Sequence, residues 1–266
     1  MLRSGLVSIT FRALKPYEIV RLVVGAGLNG IEWGGDIHVP CGNIKAAKEV
    51  LQMTTEAGLE MAAYGSYYRV GCDDGNFDGF KRVLETAVAL KVPTIRVWAG
   101  ELGSNAADQK YRDLVVAKAR IIAELAKEAT ITISFEFHGG TLTDTNDSTM
   151  QFYKDINHEN VKAYWQPNQV MDLEQRLEGL QMIQPLLSNI HVFYWILDQT
   201  HDVVRSPLIN GQEEWKVYID CIKNIRNRHY AMIEFVKDDE PGQFLKDAEI
   251  LKTLIQNCTN SALSGS

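Results

Sequence analysis

The stretch Ile131-Thr132-Ile133-Ser134-Phe135-Glu136-Phe137-His138 decides the fold. Apolar and polar residues alternate along it, which is typical of a β-strand with one face packed against a core. One face carries only apolar side chains, those of Ile131, Ile133, Phe135 and Phe137. The opposite face ends in Glu136 and His138. We therefore predict a strand that packs its apolar face against helices and points Glu136 toward the interior of a barrel.

Segments of similar apolar character recur along the chain, and helical patterns separate them. The predicted strands are Leu6–Phe11, Gly30–Trp33, Glu60–Tyr64, Thr94–Trp98, Thr130–His138, Val161–Gln166, Ile190–Trp195 and Tyr230–Val236. The predicted helices are Lys15–Ala26, Asn43–Glu56, Phe77–Leu90, Tyr111–Glu128, Thr149–Ile156, Asp172–Leu180, Trp215–Asn227 and Gly242–Gln256. This alternation implies a parallel sheet, because each parallel crossover needs a helix. Eight such units in 266 residues fit closure into a (β/α)8 TIM barrel.

An open, doubly wound sheet is the alternative architecture. It predicts a glycine-rich phosphate loop after the first strand, whereas this chain has Ser8-Ile9-Thr10-Phe11-Arg12 there. No linker-like composition interrupts the pattern. We therefore predict one barrel domain over residues 1–266.

Composition and charge exclude several classes of function. The net charge is −7 and no basic stripe is present, which argues against nucleic acid as a partner. No apolar run approaches the roughly 20 residues that cross a bilayer, and MLRSGLVSITFR lacks signal-peptide features. The four dispersed cysteines are typical of reduced thiols. We expect a cytoplasmic protein with a small-molecule partner and no nucleic-acid or membrane partner.

Acidic side chains on the inner faces of the predicted strands are the main chemical signal. Strand parity points Glu136 and Glu234 inward, and His191 lies on the strand between theirs. A buried charge without a partner is costly, so each carboxylate needs either an internal Lys or Arg or a bound cation. Two carboxylates and one imidazole at strand ends favour a divalent metal such as Mn²⁺, Mg²⁺, Co²⁺ or Zn²⁺.

Four segments carry a resemblance to a known family. They are Gly30–Val39, Phe135–Thr145, Asn189–Val192 and Ile233–Phe235. They occur in order at the ends of the second, fifth, seventh and eighth predicted strands. Together they resemble the xylose isomerase-like TIM-barrel family of sugar phosphate isomerases and epimerases, the AP endonuclease 2 superfamily, over nearly the whole chain.

The resemblance implies a set of metal ligands. The family's metal site uses Glu, Asp, His and Glu from strands five to eight, which implies Glu136, His191 and Glu234 as ligands here. Gln166 falls at the Asp position, and Gln169 stands where relatives often carry a His. An amide oxygen can ligate a hard metal but brings no charge, so we expect weaker metal binding than with an Asp.

The resemblance also implies a reaction. It suggests a metal-dependent isomerase or epimerase of a keto-sugar or related polyol, with Glu136 and Glu234 exchanging protons α to a carbonyl. A dehydratase stays open, because the family contains inosose dehydratase and 3-dehydroshikimate dehydratase, and Ser8–Arg12 and Thr141–Thr145 resemble the latter. A non-catalytic sugar-binding barrel stays open because of Gln166. Assembly into a homo-oligomer is a family-level expectation.

Further side chains near the strand ends are predicted to contact the substrate. They are His38, Arg96, His138 and Arg205. For His38 the alternative is a hydrogen bond within its loop, and for Arg96 it is an internal ion pair with Glu32. Arg205 suits bidentate binding of a carboxylate or phosphate, with a solvated side chain as the alternative.

Overall fold

A closed barrel of eight parallel strands organises the molecule. The computed structural model describes residues 1–73, 75–225 and 227–263. The strands are β1 (Leu2–Val7), β2 (Gly30–Gly34), β3 (Glu60–Arg69), β4 (Thr94–Trp98), β5 (Thr132–Glu136), β6 (Val161–Trp165), β7 (Leu187–Val192), β8 (Tyr194–Leu197), β9 (Val203–Ser206) and β10 (His229–Ile233). Around the barrel the order is β1-β10-β7-β6-β5-β4-β3-β2, while β8 and β9 form a separate antiparallel hairpin.

A helix follows each barrel strand along the chain. They are α1 (Pro16–Gly25), α2 (Ile44–Glu56), α3 (Asp78–Leu90), α4 (Gln109–Glu128), α5 (Asn146–Ile156), α6 (Leu173–Ile183), α7 (Gln212–Ile222) and α8 (Pro241–Leu263). The predicted (β/α)8 architecture is confirmed. None of the described helices combines the length and the apolar character that a membrane crossing requires.

The alternation of side chains along β5 divides the apolar residues as predicted. Ile133 and Phe135 pack with helical residues such as Ala123 and Phe152 in the main core. Met232 of β10 belongs instead to a second, smaller cluster with Tyr164 and other strand residues. The two clusters correspond to the outer and inner faces of the barrel, so the polar ends of the inward faces meet at one mouth.

The predicted first and seventh strands are wrong in extent. The first strand is Leu2–Val7, and the residues predicted to complete it form a 3₁₀ helix, Ser8–Phe11. Pairing with β10 fixes this register, although Arg3, Ser4 and Gly5 break the apolar pattern. The predicted seventh strand Ile190–Trp195 is divided, because the chain leaves the barrel after Val192 and continues into the hairpin.

The predicted helix Trp215–Asn227 also differs from the structure. The observed helix is Gln212–Ile222, so it begins three residues earlier and ends before the polar stretch that follows. Arg226, within the predicted range, lies outside the described residues.

Candidate metal centre

Three buried side chains converge where the barrel strands end. Glu136 is the last residue of β5, His191 is on β7, and Glu234 follows β10 directly. Each offers one ligand atom, and these atoms lie within 4.8 Å of one another. His191 Nδ1 is 3.3 Å from Glu136 Oε1 and 3.4 Å from Glu234 Oε2. The group that sequence parity predicted is therefore brought together.

Gln166 brings a fourth donor atom, an amide oxygen, to His191. Its Oε1 atom lies 3.4 Å from His191 Nδ1, and its Nε2 atom donates to the Phe137 carbonyl at 3.0 Å. That second bond leaves the amide oxygen facing His191 Nδ1, the same nitrogen that faces Glu136 and Glu234. Two carboxylates, one imidazole and one amide oxygen form a donor set that suits a divalent cation.

Glu32 of β2 supports His191 from the other side of its ring. Glu32 Oε2 lies 3.3 Å from His191 Nε2 and accepts a hydrogen bond from the Tyr164 hydroxyl at 2.5 Å. Metal-binding histidines commonly bond a carboxylate through their second nitrogen, which fixes the tautomer and the ring orientation. This arrangement leaves Nδ1 facing the other two carboxylates and the Gln166 oxygen.

Arg96 of β4 lies between two of the carboxylates. Its Nε atom donates to Glu32 Oε1 at 2.7 Å, and its Nη1 atom donates to Glu136 Oε2. Burial raises the pKa of Glu32, but the charges of Arg96 and His191 lower it by more. The resulting pKa is about 2, below the usual value for a glutamate. For Glu136, too, burial is outweighed by Arg96, and the pKa falls below its usual range. Both carboxylates are therefore held ionised.

The protonation of His191 responds to the same charges. Burial alone lowers the pKa of this imidazole, but Glu234 and Glu32 raise it well above its usual value. A metal ligand must be the neutral ring, so metal binding at Nδ1 would displace a proton. The negative charge around His191 is the feature that a cation would neutralise.

The two metal-site glutamates differ in their bonding. Glu136 Oε2 also accepts a hydrogen bond from Trp98 Nε1 at 2.5 Å, in addition to the bond from Arg96. Glu234 has only His191 as an ion-pair partner in the described part of the chain. The Oε2 atom of Glu136 is consequently held by two donors, Arg96 and Trp98. Glu234 bonds neither of them.

A family model described as a xylose isomerase-like TIM barrel matches residues 20–254. The chain belongs to this family. It is 24% identical, over an alignment 294 positions long, to a 3-dehydroshikimate dehydratase of Bacillus anthracis, and the alignment covers 98% of each protein. The proteins that this chain resembles include a dehydratase, by sequence and by fold, and an epimerase, by fold.

Two solved structures show the same fold. A probable 3-dehydroshikimate dehydratase of Bacillus anthracis superposes with a TM-score of 0.79 at 20% identity, covering 94% of this chain and 98% of that one. The 3-keto-D-glucoside 4-epimerase of E. coli superposes with a TM-score of 0.70 at 15% identity, covering 96% and 99%. At these identities the superpositions establish the xylose isomerase-like fold alone.

The four residues predicted to contact the substrate follow or lie on different strands of the barrel. They are His38, Arg96, His138 and Arg205. The His38 ring is buried and bonds Ser8 Oγ at 3.0 Å and the Leu14 carbonyl at 3.2 Å, both in the segment between β1 and α1 and outside its own loop. His138 is half-buried, with its ring centroid 4.9 Å from that of Trp98. A substrate role for His38 and His138 stays a prediction.

The two predicted arginines both have acidic partners. Arg96 forms an internal ion pair with Glu32, which was the alternative to contact with the substrate. Arg205, on the hairpin, bonds Asp239 at 2.5 Å and lies 4.5 Å from the Phe235 ring centroid. Arg205 also lines a cavity of about 290 Å³ with Thr10. Its substrate role stays a prediction.

Sequence reasoning missed the side chains that support the ligands. Tyr164 bonds Glu32, and Asn189 in turn donates to the Tyr164 hydroxyl at 2.8 Å. Strand parity could have pointed Tyr164 inward, since it alternates with the outward Ala163 and Trp165. Its partner on β2, Glu32, could be identified only from the closed barrel.

Gly65 of β3 makes room for the Glu32–Arg96 ion pair. A Cβ atom there would lie 2.6 Å from Glu32 Oε1 and 2.7 Å from Arg96 Nη2. We expect Gly65→Ala to lower the free energy of unfolding by about 3 kcal/mol, because the buried pair must move apart. Urea unfolding measures this. Gly25→Ala, where a Cβ meets nothing within 4 Å, should change stability by less than about 1 kcal/mol. Equal losses in both variants would contradict this account.

Proposed function

We propose that this xylose isomerase-like protein is a metal-dependent dehydratase, a lyase that removes water from a hydroxylated ketone of the 3-dehydroshikimate type. The observation that carries the proposal is the unequal bonding of the two glutamates. Glu136 is bonded by Arg96 and Trp98, while Glu234 bonds neither of them and has His191 as its ion-pair partner among the described residues. The 24% identity to a 3-dehydroshikimate dehydratase along both whole chains supports the same reaction.

The ligands of the proposed centre are Glu136, Gln166, His191 and Glu234. A divalent ion held there would supply positive charge that stabilises negative charge on the substrate's carbonyl oxygen. Glu32 and Arg96 keep His191 and Glu136 oriented for this role. Because Gln166 is uncharged, this ligand set carries one negative charge fewer than the same set with an Asp at that position.

Proton transfer is assigned to Glu234. This carboxylate accepts the proton from the carbon next to the carbonyl, and the electron pair left behind forms an enolate. When the carbonyl re-forms, the β-hydroxyl leaves and takes a proton from the Glu234 carboxyl group, so that one water is released. One acid–base group therefore serves both halves of the reaction. From 3-dehydroshikimate, enolisation of the product gives aromatic 3,4-dihydroxybenzoate.

Epimerisation is the second candidate, and the structural likeness to a 3-keto-D-glucoside 4-epimerase favours it. Inverting a stereocentre through an enolate needs one group to remove a proton and another to return it on the opposite face. Glu136 would have to be that second group. Its Oε2 atom accepts from Arg96 and Trp98 and its pKa is lowered, which makes it a poor proton donor.

Product analysis tests the proposal. The protein is incubated with Mn²⁺ and 3-dehydroshikimate, and the ultraviolet absorbance of 3,4-dihydroxybenzoate is followed. A parallel incubation in D₂O with hydroxylated keto-sugars detects deuterium at a single stereocentre. Aromatic product supports the dehydratase. Deuterium uptake without water loss would replace it with the epimerase, and sugar binding without turnover would indicate a non-catalytic barrel.

Gln166→Asp is expected to tighten Mn²⁺ binding on the order of tenfold, because a carboxylate adds a negative charge to the ligand set. Titration calorimetry measures the dissociation constant. Gln169→Asp is the matched control, since it adds the same charge three residues away, where the amide bonds the Pro167 carbonyl. Equal gains in both variants, or no gain in either, would remove Gln166 from the ligands.

A further inference from the structure

Four arginines lie around the barrel mouth, and three of them have carboxylate partners. Arg96 bonds Glu32 and Glu136, and the guanidinium groups of the other two are paired one to one. Those pairs are Arg12 with Asp36 and Arg205 with Asp239. Arg69, the last residue of β3, is the exception, because no carboxylate of the described residues lies within ion-pair distance of it.

The Arg69 side chain is nevertheless held in place. Its guanidinium carbon lies 4.3 Å from the Trp98 ring centroid, and its Nη1 atom makes one long hydrogen bond, 3.4 Å, to the Gly100 carbonyl. Asp73, four residues on, already bonds Lys118 and Tyr68. The half-buried guanidinium therefore lies over the indole and keeps unused N–H donors, and a guanidinium with free N–H groups can bind a carboxylate bidentately.

Trp98 links this guanidinium to the candidate metal centre. The indole that Arg69 covers donates its N–H to Glu136, so one indole ring separates the cation from a metal ligand. The Tyr67 ring packs edge-on against the same indole with centroids 5.3 Å apart. Its hydroxyl is buried without a hydrogen-bond partner among the described groups. The Arg69 guanidinium and the Tyr67 ring thus both pack against the indole that bonds Glu136.

We propose that Arg69 binds a carboxylate of the substrate, so that the site selects a cyclic hydroxylated keto acid over a neutral keto-sugar. The inference rests on the proposed function and deepens it. The ring carbonyl would lie toward Glu234, and the acid group would lie across the mouth against Arg69. Trp98 orients the guanidinium by stacking. Arg69 is in this way a substrate-binding residue that determines specificity.

A binding experiment tests Arg69 without requiring turnover. The probes are 3,4-dihydroxybenzoate and its neutral analogue 3,4-dihydroxybenzamide, titrated by calorimetry into the Mn²⁺-loaded protein. The wild type is expected to bind the acid about ten- to a hundredfold more tightly than the amide. Arg69→Gln should bind both about equally, and Arg69→Lys should keep part of the preference, because it retains the charge without the planar fork.

Arg21→Gln is the matched control, since it removes one exposed positive charge on α1 and should keep the full preference for the acid. Thermal melts check that each variant is folded. With 3-dehydroshikimate as substrate, Arg69→Gln should raise KM by a similar factor and lower kcat far less. An unchanged preference in Arg69→Gln, or no preference in the wild type, overturns the inference.

The outcomes separate this inference from the proposed function. Acid selectivity that depends on Arg69 in a protein that forms no aromatic product would sustain the carboxylate site and overturn the dehydratase. Turnover of 3-dehydroshikimate with an unchanged KM in Arg69→Gln would sustain the dehydratase and overturn the carboxylate site.

Discussion

Glu234→Gln is expected to lower kcat for the dehydration by about 10²- to 10⁴-fold at saturating Mn²⁺. The amide keeps an oxygen in the position of the carboxylate but cannot accept the α proton. The fold should persist, because among the described residues Glu234 has His191 as its single ion-pair partner and no arginine depends on it. Steady-state kinetics over a range of Mn²⁺ concentrations measures the effect.

Two further measurements separate proton transfer from metal binding. If Glu234 is the base, exchange of the substrate's α hydrogen with D₂O should fall together with kcat in the variant. Glu240→Gln, an exposed acid in the same segment, serves as the control and should retain activity. Full recovery of the Glu234→Gln variant by added Mn²⁺ would reduce Glu234 to a metal ligand, and unchanged turnover would remove it from the mechanism.

The inward glutamates could be predicted from sequence because strand parity is a local property. The apolar face of β5 packs against the helices, so Glu136 must point the other way, and the same holds for Glu234 after β10. The order of the segments along the chain then indicated His191 as their neighbour. The predicted closure into a barrel and the family resemblance were both needed to bring these three residues to one site.

The partners of the ligands could not be predicted, because they depend on how the barrel closes. Glu32 is 132 residues from Tyr164 and 159 residues from His191 in sequence, yet it contacts both side chains. Such pairs follow from the stagger between strands, which no local pattern contains. For the same reason the sequence left Arg96 undecided between an ion pair and the substrate.

The hairpin shows a second limit of sequence patterns. The apolar run from Ile190 to Leu197 has the character of one continuous strand, but only its first residues pair within the barrel. The remainder pairs with β9, and that pairing brings Arg205 next to Trp195. Hydrophobic periodicity identifies a strand but does not identify the strand it pairs with.

Arg96→Met is expected to lower the free energy of unfolding of the metal-free protein by about 3–5 kcal/mol. Arg96 is 2% exposed, and it bonds Glu32 and Glu136, which are equally buried. Methionine fills part of the volume of the arginine stem but leaves two carboxylates without a guanidinium. Urea unfolding measures the loss. Added Mn²⁺ should restore part of it, because the ion binds the folded state.

A double variant decides whether the loss is due to charge or to packing. Adding Glu32→Gln to Arg96→Met removes one of the carboxylates left unpaired, so the double variant should be more stable than the single one. Arg120→Met is the control, because that arginine bonds the main-chain carbonyls of Ile156 and Asp155. Its loss should be about 1 kcal/mol. If the double variant is no more stable than Arg96→Met, packing of the arginine stem contributes more to stability than its charge does.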